Sequence, residues 1–362
     1  MAHKLLRHEK MKILIASDNG VKVEHFSSAF AQFAKEYEIT IIEIDRKVNF
    51  KPETPSEMKL KEYIGSPKQL VNAVDDADIL IVNYAPITAE VIYAGRRLKL
   101  IGVTRGGPVN VDLEAATKRG ILVVNAPERT VEAVADFTLG LMIAEARNIA
   151  RAYHMLRTGR VLKINPRLYE DSNISGVELS GKTLGVIGLG RIGKKVALRA
   201  EAFGMNVVAY DPYATVEDAE GVRAKLTDLN SLLKVSDFIT IHVRYTKETE
   251  HMIGKEQIGM MKSTAYLVNT SRGGVIDEKA LFWALKEKRI AGAALDVVEE
   301  EPISPSNPLL KLDNITITPH IAGLTQEVPP KSAIIMAEEV KKFINGEKLS
   351  RLVNKEVLRT IK

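Results

Sequence analysis

Cysteine is absent from this chain of 362 residues, which excludes disulfides, thiolate nucleophiles and cysteine-based zinc sites together. Long apolar runs are missing as well. The most apolar segments, such as 137–146, fall well short of the roughly 18 residues that a membrane-spanning helix needs. No membrane partner is expected. Residues 1–10 carry scattered charge without an apolar stretch or a small-residue cleavage site, so no secretory signal is expected and the reading is cytoplasmic. Charge of one sign is not dominant: 51 Lys and Arg stand against 46 Asp and Glu, a formal charge of +5. The cations are spread along the chain instead of forming a basic run interleaved with aromatics, so nucleic acid is not an expected partner. A mild attraction for small anions is what that charge implies. Seven histidines occur without an H-E-x-x-H pattern, and no metal site is expected. Low-complexity segments and fixed-period repeats are also lacking.

Hydrophobic residues make up 45% and charged residues 27% of the chain, the composition of an ordinary globular protein whose length favours two domains. Short β-branched runs at 12–17, 39–44, 79–82, 100–103 and 122–125 alternate with amphipathic stretches such as 23–37 and 113–119. That alternation predicts a βαβ series with a parallel sheet. A helical stretch over 130–158 follows. Thr130 offers an N-cap, although Ala133 three places on leaves the capping box incomplete. Its length suits either a connector between domains or a surface for a second subunit.

A loop around 165–180 leads to a second series, with strands expected at 183–187, 206–210, 238–242, 265–269, 291–296 and 315–318 and helices at 191–203 and 278–288 between them. After Pro319 a helix over 327–345 has no partner strands of its own. It is expected to return to the first domain, giving a substrate domain of 11–128 plus 325–362 and an inserted domain of 129–324. Ending at Lys362, the chain is not expected to carry an appended regulatory domain.

Gly188-Leu189-Gly190-Arg191-Ile192-Gly193 follows an apolar strand and opens a helix, the context that a dinucleotide fingerprint requires. Gly188 allows the tight turn, Gly190 lets backbone approach a pyrophosphate, and Gly193 permits close packing of helix on strand. Asp211 ends the next strand about 20 residues on, where a carboxylate binds ribose hydroxyls and repels a 2′-phosphate, so NAD is expected over NADP. The same stretch nearly spells a P-loop, but Lys195 stands where Ser or Thr would hold magnesium. A serine hydrolase is equally unsupported, since G-x-S-x-G does not occur.

Three downstream segments lie at or just beyond strand ends, where an α/β sheet presents its ligand crevice. They are Asn269-Thr270-Ser271-Arg272-Gly273-Gly274, the stretch from Asp296 to Pro302, and Thr318-Pro319-His320-Ile321-Ala322-Gly323. In their order and spacing these segments, with the glycine motif, resemble the D-isomer-specific 2-hydroxyacid dehydrogenases over about 131–323. The resemblance implies a Rossmann NAD-binding domain inserted into a flavodoxin-like substrate domain, two doubly wound parallel-sheet α/β units with the catalytic cleft between them, and a homodimer. It further implies that Arg272 binds a substrate carboxylate, that His320 is the acid/base and that Glu301 pairs with it. Asp296 would contact the nicotinamide carboxamide, with Thr270 and Val243 beside the cofactor.

Each role has a plainer rival. Arg272 offers a planar fork suited to a carboxylate, against a surface ion pair. His320 suits proton transfer near neutral pH, against a capped loop histidine. Spacing alone does not choose among Glu299, Glu300 and Glu301, and Asp296 could equally cap the following turn. In the first domain Gly106 and Gly107 keep backbone amides available to a substrate carboxylate, while Arg105 stands where the family commonly has glycine. Arg105 therefore reads either as a contact to a more acidic substrate or as the partner of a protein carboxylate. Arg244 likewise replaces a proline common in the family. The expected reaction is hydride transfer between NAD and C2 of a D-2-hydroxy or 2-keto acid. The rival from another class is a non-catalytic dinucleotide sensor or corepressor on the same fold.

Overall fold

The computed structural model describes residues 10–159 and 175–359. The chain divides into two compact units, one formed by residues up to Thr130 together with those from Thr325 onward, the other by Val131–Leu324.

The first unit begins with β1 (Lys12–Ser17), α1 (Val23–Phe30), β2 (Glu38–Glu43), α2 (Lys68–Val71), β3 (Ile79–Val82), α3 (Ala89–Ala94), β4 (Leu100–Val103), α4 (Leu113–Lys118) and β5 (Leu122–Asn125). Its strands are all parallel, in the order β2-β1-β3-β4-β5, which is the flavodoxin-like order. β3 and β4 are buried along their whole length, which explains their unbroken apolar sequences: a parallel sheet covered on both faces leaves no polar side. Thr88 and Asp112 cap α3 and α4 by accepting from the amides of Val91 and Ala115.

The second unit comprises α5 (Val131–Ala146), α6 (Ile149–Arg157), β6 (Thr183–Ile187), α7 (Arg191–Ala202), β7 (Asn206–Tyr210), α8 (Val216–Glu220), β8 (Ala224–Leu226), α9 (Leu229–Val235), β9 (Phe238–Ile241), α10 (Lys255–Met260), β10 (Tyr266–Asn269), α11 (Glu278–Lys286), β11 (Gly292–Leu295) and β12 (Ile315–Ile317). Its parallel sheet runs β12-β11-β10-β9-β6-β7-β8. Counted from β6, that order reverses direction between the first and fourth strands, the Rossmann arrangement with one strand added at the edge. Apolar clusters pack on this sheet, one including Leu139, Met142, Val196 and Ala200, the other including Leu281, Leu285 and Ile253.

The chain then returns to the first unit as α12 (Val328–Ile344), whose Ala333, Met336 and Val340 lie in a cluster with Ile13, Ile15 and Ile81. The tail is tied to the same sheet. Asn354 Oδ1 accepts from Val123 N at 2.8 Å, and the Arg351 guanidinium bonds Glu128 at 2.8 Å and buried Glu339 at 2.9 Å.

Three expectations differ from the structure. The helix expected over 23–37 ends at Phe30 and tightens into a 3₁₀ turn, Ala31–Phe33. The tighter turn keeps Phe33 on the buried face, with its ring centroid 5.6 Å from that of Phe30. The single helix expected over 130–158 is two helices, broken at Asn148, whose φ of 54° and ψ of 29° are left-handed. Asparagine tolerates that conformation, and Arg151 secures the break by bonding Asn148 Oδ1, Glu145 and the carbonyl of Asp313. The three-residue strand β8 was not expected at all. Of the loop expected over 165–180, residues 165–174 lie outside the described residues.

Candidate active site

The glycine motif sits at the strand-order reversal of the second unit, between β6 and β9. Gly188 has a φ of 95°, and a Cβ there would lie 2.9 Å from Val243 N and from the carbonyl carbon of His242. Only glycine fits that turn. A Cβ on Gly193 would lie 2.1 Å from Gly188 O, so helix and loop touch backbone to backbone, whereas one on Gly190 would meet nothing within 4 Å. The first and third glycines are thus required by the protein itself. The second leaves an open approach at the N-terminus of α7, where Arg191 and Ile192 form the first turn and the leading amides have no intrahelical acceptor. Asp211 braces this loop by accepting from Leu189 N at 2.9 Å and from Tyr213 N at 2.9 Å. These features fit a dinucleotide pyrophosphate.

Thr270 follows β10 and faces Thr138 of α5, hydroxyl to hydroxyl at 2.8 Å. Thr138 gives its one proton to Val134 O at 2.7 Å, so Thr270 is the donor between them. Val243 lies over Gly188, as its contact there shows. His242 beside it has an enclosed Nδ1 without a hydrogen-bond partner among the described residues, while Nε2 meets Thr240 Oγ1 at 2.9 Å. Burial pushes its pKa down to about 3, so the ring is neutral. Arg244 is exposed.

Three consecutive strand ends carry the remaining residues, because β10, β11 and β12 are neighbours in the sheet. Beyond β10, Arg272 is exposed and makes no ion pair among the described residues; one guanidinium nitrogen, Nη1, donates to Ser271 O at 2.6 Å. The flanking glycine lets this loop close: a Cβ on Gly273 would lie 1.9 Å from Val298 O. Beyond β11, Glu301 Oε2 stands 2.7 Å from Nδ1 of His320, which follows β12. Glu301 Oε1 also accepts from Val298 N at 3.3 Å. Glu299 pairs with His251 at 2.8 Å instead, so geometry selects the glutamate that spacing left open.

Asp296 is only 1% exposed. Its Oδ1 accepts from Thr318 Oγ1 at 2.6 Å and from Ile321 N at 2.9 Å, and its Oδ2 from Ala322 N at 2.8 Å. The structure therefore gives it the turn-capping role, holding the loop that presents His320, whose φ of 55° needs such support.

In the first unit, a Cβ on Gly106 or Gly107 would meet nothing closer than 3.7 and 3.8 Å respectively. Neither glycine is forced by internal packing, which leaves the backbone of that loop open on one side. Arg105 pairs with the Glu62 carboxylate, donates to Glu62 O at 3.0 Å, and lies 4.5 Å over the Tyr84 ring. Of its two readings, the structure records the protein pairing. A second arginine at this edge, Arg129, escaped the sequence analysis, since an enclosed Nε without a hydrogen-bond partner among the described residues is visible only in three dimensions. No group of three or more histidines and carboxylates able to hold a metal occurs among the described residues.

Residues 139–322 match the family model of the D-isomer specific 2-hydroxyacid dehydrogenase, NAD binding domain. The chain is 48% identical over 289 residues to the D-3-phosphoglycerate dehydrogenase of Methanocaldococcus jannaschii, covering 79% of this chain and 53% of that protein. It is 43% identical to the glyoxylate reductase of Korarchaeum cryptofilum, covering 81% of this chain and 88% of that protein. The chain spans about half the length of the phosphoglycerate dehydrogenases it matches. Among solved structures, a D-lactate dehydrogenase from Aquifex aeolicus complexed with NAD and lactic acid aligns with a TM-score of 0.69 at 31% identity, over 94% of this chain and 99% of that one.

Proposed function

The chain belongs to the D-isomer specific 2-hydroxyacid dehydrogenase family, and from that premise we propose that it is an NAD-dependent enzyme moving a hydride between the nicotinamide and C2 of a D-2-hydroxy or 2-keto acid. The observation that carries this reading is the pair of His320 and Glu301, 2.7 Å apart, beyond β12 and β11, with Arg272 beyond adjacent β10 and in no ion pair among the described residues. A hydrogen bond from Nδ1 to Glu301 fixes the ring and leaves Nε2 to the reacting oxygen.

In oxidation, Nε2 of His320 takes the hydroxyl proton while Glu301 stabilises the imidazolium that forms. Arg272 binds the C1 carboxylate through two parallel hydrogen bonds and keeps C2 oriented. NAD supplies the hydride acceptor when bound. In reduction the His320 imidazolium would return its proton to the carbonyl oxygen at C2. The assigned cofactor contacts are Gly188, Gly190, Arg191, Ile192, Gly193, Asp211, Val243 and Thr270. Asp296 Oδ2 accepts one protein hydrogen bond and keeps capacity for a carboxamide N–H. Gly106, Gly107 and Arg105 are the assigned substrate contacts of the first unit.

Ile149, Tyr153 and Leu156 form an exposed apolar stripe on α6, spaced four and three residues apart on one helix face. The stripe supports a homodimer. No helix among the described residues is long and apolar enough to cross a membrane.

The test is a screen of glyoxylate, pyruvate, hydroxypyruvate and phosphohydroxypyruvate with NADH and NADPH. Turnover of at least one with clear preference for NADH is the expected result. NADH binding without turnover of any 2-keto acid would leave a dinucleotide sensor.

A further inference from the structure

Asn269, Leu295 and Ile317 are register partners across β10, β11 and β12. The residues that follow them, Thr270, Asp296 and Thr318, therefore form a row at the carboxyl ends of the three strands. Side chains alternate along a strand, which puts this row on the face of Val268 and Ala294, the face that packs with Leu139 and Met142 of α5. Thr138 of α5 meets the row at Thr270. Both threonines are buried, Thr138 at 1% and Thr270 at 7% exposure.

A hydroxyl has one proton to give, and each hydroxyl of this cluster gives it to the protein. Thr138 donates to Val134 O at 2.7 Å, Thr270 to Thr138 Oγ1 at 2.8 Å, and Thr318 to Asp296 Oδ1 at 2.6 Å. Asp296 Oδ2 accepts one amide, that of Ala322. What these groups still offer is lone pairs. A ligand that reaches Thr270 or Asp296 Oδ2 meets an acceptor and no donor.

The identity of residue 138 is the unexplained part. A threonine that bonds back to the carbonyl four residues earlier slightly weakens its helix, and position 138 lies among the apolar side chains of α5, so valine would serve the helix at least as well. What threonine adds is an acceptor for the Thr270 proton. Without it, the Thr270 hydroxyl is free to turn and to present its proton instead of a lone pair.

We propose that Thr138 is a positioning residue for the nicotinamide end of the cofactor: by taking the Thr270 proton it makes that hydroxyl a fixed acceptor, matched with Asp296 Oδ2 to a ligand N–H such as that of a carboxamide. Thr138 itself touches no ligand, and the nature of the ligand rests on the dehydrogenase reading.

Equilibrium binding to the full chain tests it. NADH is compared with ADP-ribose, which carries the pyrophosphate without the nicotinamide, on wild type, Thr138→Val and Thr138→Ser. In Thr138→Val the Kd for NADH should rise about 3- to 10-fold, the worth of a neutral hydrogen bond, while that for ADP-ribose stays unchanged. Thr138→Ser keeps the acceptor and should bind NADH as wild type does. NADH affinity unchanged in Thr138→Val, a parallel loss for both ligands, or a serine variant as weak as the valine one would overturn the proposal.

A second comparison reads the direction of the hydrogen bond. Wild type should prefer NAD to its nicotinic acid analogue, in which a carboxylate replaces the carboxamide, and Thr138→Val should narrow that preference because the Thr270 proton is released toward the ligand. A preference that does not narrow overturns the assigned polarity. Wild type that binds NADH without reducing any 2-keto acid overturns the dehydrogenase reading and leaves these affinities to decide the role of Thr138; wild type that binds neither NADH nor ADP-ribose overturns both.

Discussion

At the scale of single residues, position at a strand end matters less than what each side chain is left free to do. Arg272 spends one nitrogen on Ser271 O and has no carboxylate partner among the described residues, so the rest of its fork is available. Lysine would keep the charge and lose the parallel pair of bonds, and Arg272→Lys should therefore lower kcat/KM for keto-acid reduction by about 10-fold or more. A lysine variant near wild-type efficiency would show that the carboxylate is held elsewhere. His242 yields a different prediction. Its folded pKa, lowered by burial to about 3, lies below the unfolded value of about 6.5, so the unfolded chain binds the extra proton as pH falls. Stability is fully present above pH ~6.5 and is lost progressively down to the folded pKa, by about 1 to 2 kcal/mol on going from pH 7 to 5. Urea unfolding of wild type and His242→Asn at both pH values checks this, since the variant should lose less. Both histidine roles illustrate what sequence can tell. His320 was legible because four motifs surround it in order. Neither the enclosure of His242 Nδ1 nor that of Arg129 Nε, each without a hydrogen-bond partner among the described residues, leaves a local mark, because both depend on atoms distant in the chain.

Secondary-structure elements were read well wherever burial imposed a simple pattern. The apolar sequences of β3 and β4 announce strands covered on both faces, and the glycine motif announces the strand-to-helix turn into α7. Reading failed where a local exception decided: one left-handed residue, Asn148, divides a periodic stretch into α5 and α6, and β8 is too short to show any alternation. Asp296 was ambiguous for a similar reason, since capping and cofactor contact call for the same carboxylate and only the bonds to the amides of Ile321 and Ala322 reveal the cap. The turn between β6 and α7 allows a paired test. Gly193→Ala sets a methyl group 2.1 Å from Gly188 O, so backbone must shift and the Tm should fall along with NADH affinity, at a cost of about 1–3 kcal/mol. Gly190→Ala meets nothing within 4 Å, so the Tm should hold while NADH affinity falls, because the methyl group obstructs only the pyrophosphate. Titration of NADH fluorescence and a melting curve on each variant separate the two. Equal NADH affinity in wild type and Gly190→Ala would remove the pyrophosphate from this loop.

At the scale of the whole molecule, one chain builds two parallel sheets of different strand order. The first and last parts of the chain share a unit because α12 covers apolar side chains beneath β1 and β3 and because Asn354 and Arg351 fasten the tail. A near balance of charge with a small positive excess suits an anionic substrate and leaves its identity to particular arginines. The proposed apolar contact through α6 belongs to this scale too: Tyr153→Glu with Leu156→Glu should convert a dimer to a monomer in sedimentation, and a monomeric wild type would dismiss that contact. The proposed reaction is direct hydride transfer to C2 with D stereochemistry. Its most direct test follows deuterium from stereospecifically 4-deuterated NADH into the product of keto-acid reduction by NMR and chiral analysis. One deuterium at C2 of the D-hydroxy acid, from one of the two C4 positions only, is the expected result. A product of L configuration, or one in which C2 carries solvent hydrogen instead of the label, would contradict it.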